Sequence, residues 1–383
     1  MILRGDALYD PDLDRFFLDL PLAGVRSRHS LRAYAYDVVV WLRFLQDACG
    51  KDVWAATRDD VAAFHRARRR DDAGFRISAS SWNRAVATLD KLYRWGAAQG
   101  LVAEAPFTHR AVWRRGHAGR RGHIAARNDA CERAAKRSDV RFVTLEDYRV
   151  FRDVGLRGLT LEGAERPGAR DRNGARNALF AELLVTTGLR LEEASSLFAA
   201  EVPGAAAAAD RQIWLELPAG LTKGERGRRV LLPRRLAQQI SAYRAVERAA
   251  AVTKFHARGG WGAIDRPIFA DVIPQGAVLR LRDGPTVPLD ALTPDERARV
   301  VLCGDGAPRE PAALWLTEVG QPVRPNSWEA IFARASRRCA EADAPLRISP
   351  HQLRHTFAVH MLAMLIQRRL QEAAAPAGPT DSY

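Results

Sequence analysis

Read for hydrophobic periodicity, the first hundred residues divide into consecutive amphipathic helices. Ser30, Leu31, Tyr34, Val38, Trp41, Leu42 and Leu45 recur at helical spacing, and Cys49-Gly50 ends that run. Thr57-Arg58-Asp59-Asp60, ahead of Val61, Phe64 and His65, predicts an N-cap followed by acids in the first turn, where they complement the helix dipole. A longer helix is predicted from Ser78–Ser81 to Gly100, carrying Trp82, Val86, Leu89, Leu92, Tyr93 and Trp95. Aromatic residues at that spacing are read as core.

Between Arg110 and Arg137 the periodicity gives way to a basic, glycine-bearing stretch that includes Arg114, Arg115, Arg120 and Arg121; it is read as an interdomain linker, 110–139. Beyond it, Thr144-Leu145-Glu146-Asp147 predicts a helix start, and a glycine- and arginine-rich loop follows over 157–176. Asn177 to Thr186 has the spacing of a buried helix that Gly188 terminates. Ile213–Leu217 and Arg229–Leu232 read as short strands around a polar turn, Thr222–Gly227. Further helices are predicted over 235–253 and 327–342. The intervening 258–311, rich in Gly, Pro and Asp, reads as irregular loops with room for one further strand. No fixed-period repeat is visible, and the alanine-biased segments 205–209 and 373–379 read as a loop and a flexible end. The pattern is that of a mainly helical protein with a small β-hairpin.

Composition adds a partner. The chain has 383 residues, 47% hydrophobic, which is long for one domain and predicts two. Its 59 Lys and Arg outnumber 45 Asp and Glu, giving a net charge of +14 that favours a polyanion. Charge alone does not separate DNA from RNA or an anionic membrane. Cys49, Cys131, Cys303 and Cys339 are scattered, without a CxxC pair or clustered histidines, so a reduced intracellular protein without a metal site is expected. The N-terminal MILRGDALYDPDLDRFF resembles neither a signal peptide nor a membrane span, which points to the cytoplasm, and to the nucleoid when bound to DNA.

Three segments carry chemistry. In TGLRLEEASSL, Arg190 stands at a helix start beside a glycine turn, and Glu193, three residues on, shares its face and can hold the guanidinium in place; the plain alternative is a surface ion pair. In LTKGERGRRV, Lys223 lies at a hairpin tip, where an ammonium can reach a phosphate or protonate a leaving oxygen, although turn lysines are usually just solvated. In SPHQLRHTF, Ser349 is a candidate N-cap with Pro350 in the first turn, so His351 and Arg354 point the same way near a helix N-terminus. Free amides, an imidazole and a planar cation together suit an oxyanion.

Taken in order, TGLRLEEASSL, LTKGERGRRVLLP and SPHQLRHTFAVHML resemble the signature blocks of tyrosine recombinases, the phage integrase family. The earlier SWNRAVATLDKLYRWGAAQGLVAEAPF resembles the helical core-binding domain that precedes their catalytic domain. The resemblance implies a helical core-binding domain at 1–109, the basic linker, and an α+β catalytic domain at 140–383. It also implies site-specific cleavage and rejoining of double-stranded DNA through a 3′-phosphotyrosine, as integrases of mobile elements perform it. Arg190 and Arg354 would clamp the scissile phosphate, His351 would assist by hydrogen bonding or proton transfer, and Lys223 would be the general acid. Glu193 would support Arg190; separately, the positive charge concentrated in the linker favours contact of Arg114, Arg115, Arg120 and Arg121 with a DNA backbone over mere solubility. No metal and no nucleotide cofactor are implied, and assembly on paired DNA sites, commonly as a tetramer, is.

After HxxR the family places an LGH-type block and then the nucleophilic tyrosine. This sequence offers no LGH block, and the one tyrosine downstream of Arg354 is Tyr383, after Pro379-Thr380-Asp381-Ser382. A catalytic domain incomplete at its C-terminal end is therefore expected, with a non-catalytic DNA-binding protein derived from such a recombinase as the alternative. A type IB topoisomerase relative and a generic basic RNA binder are the remaining readings; the core-binding pattern matches recombinases better than the topoisomerase.

Overall fold

The computed structural model describes residues 10–25, 28–114, 122–132, 141–166, 173–204, 212–222, 224, 226–272, 278–282 and 284–374. The chain divides into two compact units, Met1–Ser138 and Asp139–Tyr383.

The first unit is built from α1 (Pro11–Asp19), α2 (Arg28–Phe44), α3 (Arg58–Arg69) and α4 (Ala79–Ala98). The ends follow local chemistry. Asp10 caps α1 by accepting from the amides of Asp12 and Leu13, and Pro11 supplies a preset φ in its first turn. The helical path of α2 continues in a wider turn, Leu45–Cys49, and stops at Gly50, whose φ of 60° few other residues accept. At α3 the Asp60 carboxylate reaches back to the Thr57 amide at 2.7 Å, and Ser78 caps α4. The aromatic residues of α4 are core, as expected: Trp82 and Tyr93 are buried, and half-buried Trp95 packs beside them and donates to Asp19 at 2.9 Å. Tyr93 accepts from the Trp41 indole at 2.8 Å and donates to the Val53 carbonyl at 2.6 Å, so no polar atom of that pair is stranded inside.

The basic stretch read as linker contains two paired strands, β1 (His109–Arg114) and β2 (His123–Asn128), antiparallel with His109 opposite Asn128. Six residues per strand are not enough to show through a run of arginines and glycines in sequence.

The second unit opens with α5 (Leu145–Val150), capped by Thr144, and continues with α6 (Gly174–Thr187), α7 (Leu191–Ser195), the hairpin β3 (Ile213–Leu217) and β4 (Arg228–Leu232), α8 (Arg234–Tyr243) and α9 (Ala249–Ala257). Next come β5 (Ile268–Val272), β6 (Val278–Leu281), β7 (Thr286–Pro288), the short α10 (Pro294–Arg297), β8 (Val300–Gly304) and β9 (Ala307–Pro311). The unit closes with α11 (Pro325–Glu341) and α12 (Pro350–Ala374). Its core lies where α6 meets α8, α11 and the hairpin; Phe180 stacks on Trp328 at a centroid distance of 3.6 Å, and Trp315 meets both edge-on.

The expectation of irregular loops over 258–311 is corrected. That region holds a five-stranded sheet in the order β7-β6-β5-β8-β9, with β5 parallel to β8 and the other pairs antiparallel. Strands of three to five residues bounded by Pro, Gly and Asp carry too short a pattern to read, and what stabilises them is pairing with segments distant in sequence. Arg297 fastens the sheet to the rest of the unit. Fully buried, it donates to the Ser196 carbonyl at 2.8 Å, pairs with Glu201 and lies over the Phe198 ring.

Candidate functional site

The turn between α6 and α7 is the focus. Gly188 caps α6 in the left-handed conformation, φ 64°, and a Cβ there would sit 2.3 Å from the Phe357 ring of α12. The turn can therefore approach α12 closely only as glycine. Across that contact the Arg354 guanidinium donates to the Gly188 carbonyl.

Two residues on, Arg190 occupies the N-cap position of α7 with an extended backbone. The Glu193 carboxylate, fully buried, accepts four N–H donors. The Arg190 amide donates at 2.7 Å and its Nη1 at 2.8 Å, while Arg228 on β4 adds a bidentate pair at 2.9 and 2.7 Å. Burial pushes the Glu193 carboxyl up, but the hydrogen bonds from Arg228 and Arg190 outweigh it and hold the group below its ordinary range. The backbone behind is fixed too: the Ala194 carbonyl accepts from the Trp315 indole at 2.9 Å, and the Leu197 carbonyl from the Leu314 amide at 2.8 Å.

In α12, Ser349 and Gln352 exchange capping hydrogen bonds at the N-terminus, as the sequence suggests. Leu353 is buried in the core, and Thr356 accepts from the Val143 amide at 2.9 Å, so the helix rotation is set on two sides. That leaves Arg354 facing the α6–α7 turn. Burial and then the charge of Arg190 push its guanidinium below the ordinary value, with Glu193 acting the other way and Arg228 adding to the decrease. His351 lies one turn back, its Nε2 2.9 Å from the Nε2 of His355. Its imidazole is shifted down by burial, by His355 and by Arg354.

Four of the residues singled out in sequence, Arg190, Glu193, His351 and Arg354, thus fall in one neighbourhood although they come from two segments about 160 residues apart. Lys223 and Tyr383 lie outside the described residues, as do Arg115, Arg120 and Arg121; Arg114 ends β1, and only its backbone is described. Beside Lys223 the turn is closed by Thr222, whose hydroxyl donates to the Arg226 carbonyl at 2.7 Å. Sequence reasoning missed two participants, Arg228 and His355. A signal for Arg228 existed: it alternates with Val230 and Leu232, the inward positions of β4. For His355 it was the spacing of four residues from His351.

Two guanidiniums, Arg190 and Arg228, share one buried carboxylate here and a third, Arg354, is held by the Gly188 carbonyl beside them, leaving half-exposed positive charge that suits an oxyanion with several oxygens. Among the described residues no group of His, Cys, Asp and Glu is placed to hold a metal ion, and no helix is long and apolar enough to cross a membrane.

The chain matches the phage integrase family over residues 164–374 and the phage integrase N-terminal SAM-like domain over residues 13–100. It belongs to the phage integrase family of tyrosine recombinases. Solved structures similar to it include a lambda integrase tetramer bound to a Holliday junction, at 15% identity, covering 97% of this chain and 74% of that one, TM-score 0.47. The XerH site-specific recombinase in a post-cleavage complex with its difH substrate is 13% identical, covering 89% of this chain and 69% of that one, TM-score 0.46. No curated protein matches the chain significantly.

Proposed function

We propose that this protein is a site-specific DNA recombinase that binds double-stranded DNA and cleaves and rejoins strands through a 3′-phosphotyrosine intermediate. The observation that carries the reading is the buried Glu193 carboxylate. It ties Arg228 of β4 to Arg190 on the turn whose Gly188 carbonyl receives Arg354. Guanidiniums held by such a scaffold are paid for in the folded state and need no rearrangement when charge develops on a phosphate.

In the proposed reaction Arg190 and Arg354 bind the two non-bridging oxygens of the scissile phosphate, and His351 hydrogen-bonds to the same group. A tyrosine hydroxyl passes its proton to the His351 imidazole or to solvent as its oxygen bonds to phosphorus. The bond from phosphorus to the 5′ oxygen breaks, and that oxygen leaves with a proton from the Lys223 ammonium. The phosphodiester energy is kept in the phosphotyrosine, and the reverse attack by a 5′ hydroxyl rejoins the strand. The candidate nucleophile in this sequence is Tyr383. Arg114, Arg115, Arg120 and Arg121 would neutralise backbone phosphates beside the site. Assembly as a tetramer on paired sites, in the cytoplasm where the DNA is, belongs to the same reading; lambda integrase is a tetramer on its junction in the structure cited above.

A duplex nicked beside the cleavage point traps the intermediate, because the short fragment diffuses away. A covalent protein–DNA adduct that disappears in Tyr383→Phe supports the reading. Tight binding without an adduct from the same duplex means that the chain binds DNA without cutting it.

A further inference from the structure

The ribbon of β1 and β2 has two unlike faces. Its register sets Arg110 opposite Arg127 and Val112 opposite Ala125, while Ala111 lies opposite Ala126 and Trp113 opposite Ile124. Side chains alternate along a strand, so the second set shares one face. All four of its members are exposed, Trp113 at 67% and Ile124 at 69%. A cross-strand tryptophan and isoleucine pair is one that sheets ordinarily bury.

The ribbon is firmly rooted. The Asp129 amide donates to the Thr108 carbonyl at 2.9 Å, and the Trp82 indole donates to the Ala130 carbonyl at 2.8 Å. Just beyond, the Glu132 carboxylate takes Arg69 in a bidentate pair at 2.7 and 2.8 Å, and its amide donates to Asn83 at 2.9 Å. An apolar face carried on a rooted ribbon is presented to something.

Charge says to what. From His109 to Asn128 the sequence has six arginines and no Asp or Glu. Two such ribbons laid together would bring only positive charge into contact, whereas a nucleic-acid groove supplies the missing negative charge. The major groove, about 12 Å wide, admits a two-stranded ribbon.

We propose that this ribbon reads bases: it lies in the major groove of duplex DNA with Trp113 and Ile124, flanked by Ala111 and Ala126, against base edges, where the thymine C5-methyl offers an apolar partner, while arginines of the ribbon meet phosphates. The inference rests on the reading of the chain as a DNA-binding recombinase and adds the element and the base chemistry that select a site.

The test starts with the full chain selecting sequences from duplexes that have a randomised centre. Affinity for the selected duplex is then measured for wild type and for Trp113→Ser with Ile124→Ser, with thymines intact or replaced by uracil, which removes the methyl alone. The double variant should bind the selected duplex about tenfold more weakly with an unchanged affinity for unselected duplex, an unchanged salt slope and an unchanged thermal melt. Uracil at one or more positions should weaken wild type by a similar factor and leave the double variant unmoved. Equal affinity of variant and wild type, with indifference to uracil throughout, overturns the base-reading role while leaving a DNA-binding chain. So does a variant that changes only the sedimentation of the free protein, which would assign the face to self-association. If wild type retains no duplex at all, the recombinase reading itself fails, and the ribbon's role with it.

Discussion

Glu193 concentrates much of the site in one carboxylate. It is buried, and its four donors come from Arg190 and Arg228, so neutralising it leaves two guanidiniums without their anchor. We predict that Glu193→Gln lowers unfolding stability by about 2–4 kcal/mol, near the range for breaking a buried ion pair with partly exposed partners, measured by urea denaturation at neutral pH. The pH dependence follows from the lowered pKa. A carboxyl whose folded-state value is depressed contributes stability that is complete above its unfolded value and is lost as pH falls through the folded one. The gap between wild type and variant should therefore narrow in acid, below about pH 4.3; a gap constant down to the folded-state value would contradict the ion-pair account.

His351 offers a second residue-scale test. Burial, His355 and Arg354 all disfavour its charged form, so its imidazole should titrate below its ordinary 6.5 by NMR. Replacing its neighbour, His355→Asn, removes one positive charge and should move the His351 midpoint upward. No movement would mean that the two rings do not share a proton-bearing contact in solution. Because the folded state prefers the neutral ring, this group too gives up stability as pH falls towards and below its midpoint.

At the level of elements, the α6–α7 turn depends on Gly188 twice, once for its φ of 64° and once for the Phe357 ring that a Cβ would strike. Gly188→Ala should cost about 1–3 kcal/mol from backbone strain and displaced packing, read as a lower urea midpoint with an unchanged slope. The sheet of β5 to β9 depends on Arg297 in a comparable way. Arg297→Met leaves the half-buried Glu201 without its ion-pair partner and should cost about 3–5 kcal/mol. Amide hydrogen exchange should quicken in the sheet before it does in α6; uniform quickening would show that the sheet is not a separable element.

These elements differ in how far they could be foreseen. The helices announce themselves through signals contained in a few residues, such as the Thr57–Asp60 box, the Ser78 cap and the Gly188 stop. The ribbon of β1 and β2 and the five-stranded sheet do not, because each strand's partner lies elsewhere in the chain. For β5 and β8 the intervening distance is some thirty residues.

For the molecule as a whole, binding and chemistry should separate under mutation. Arg190→Ala and Arg354→Ala are expected to leave duplex affinity nearly intact while abolishing any covalent adduct, since both are proposed to clamp the scissile phosphate and contribute only one charge each to a chain of net charge +14. Neutralising Arg114, Arg115, Arg120 and Arg121 together should instead weaken binding across all duplexes and flatten the dependence of affinity on salt by about one unit of slope per lost phosphate contact. An equal loss of affinity from all six substitutions would argue for a diffuse basic surface in place of a phosphate pocket.

Sequence alone determined the helical elements, the excess of positive charge, and the motif residues Arg190, Glu193, His351 and Arg354, because caps, periodicity and side-chain chemistry are local properties that survive without a fold. Only the tertiary structure decided that Arg228 joins Arg190 on one carboxylate, that the Gly188 carbonyl receives Arg354, and that Trp113 and Ile124 face outward together. Those facts depend on strand register and on the approach of segments remote in the chain, and both are set by packing that no short stretch of residues contains.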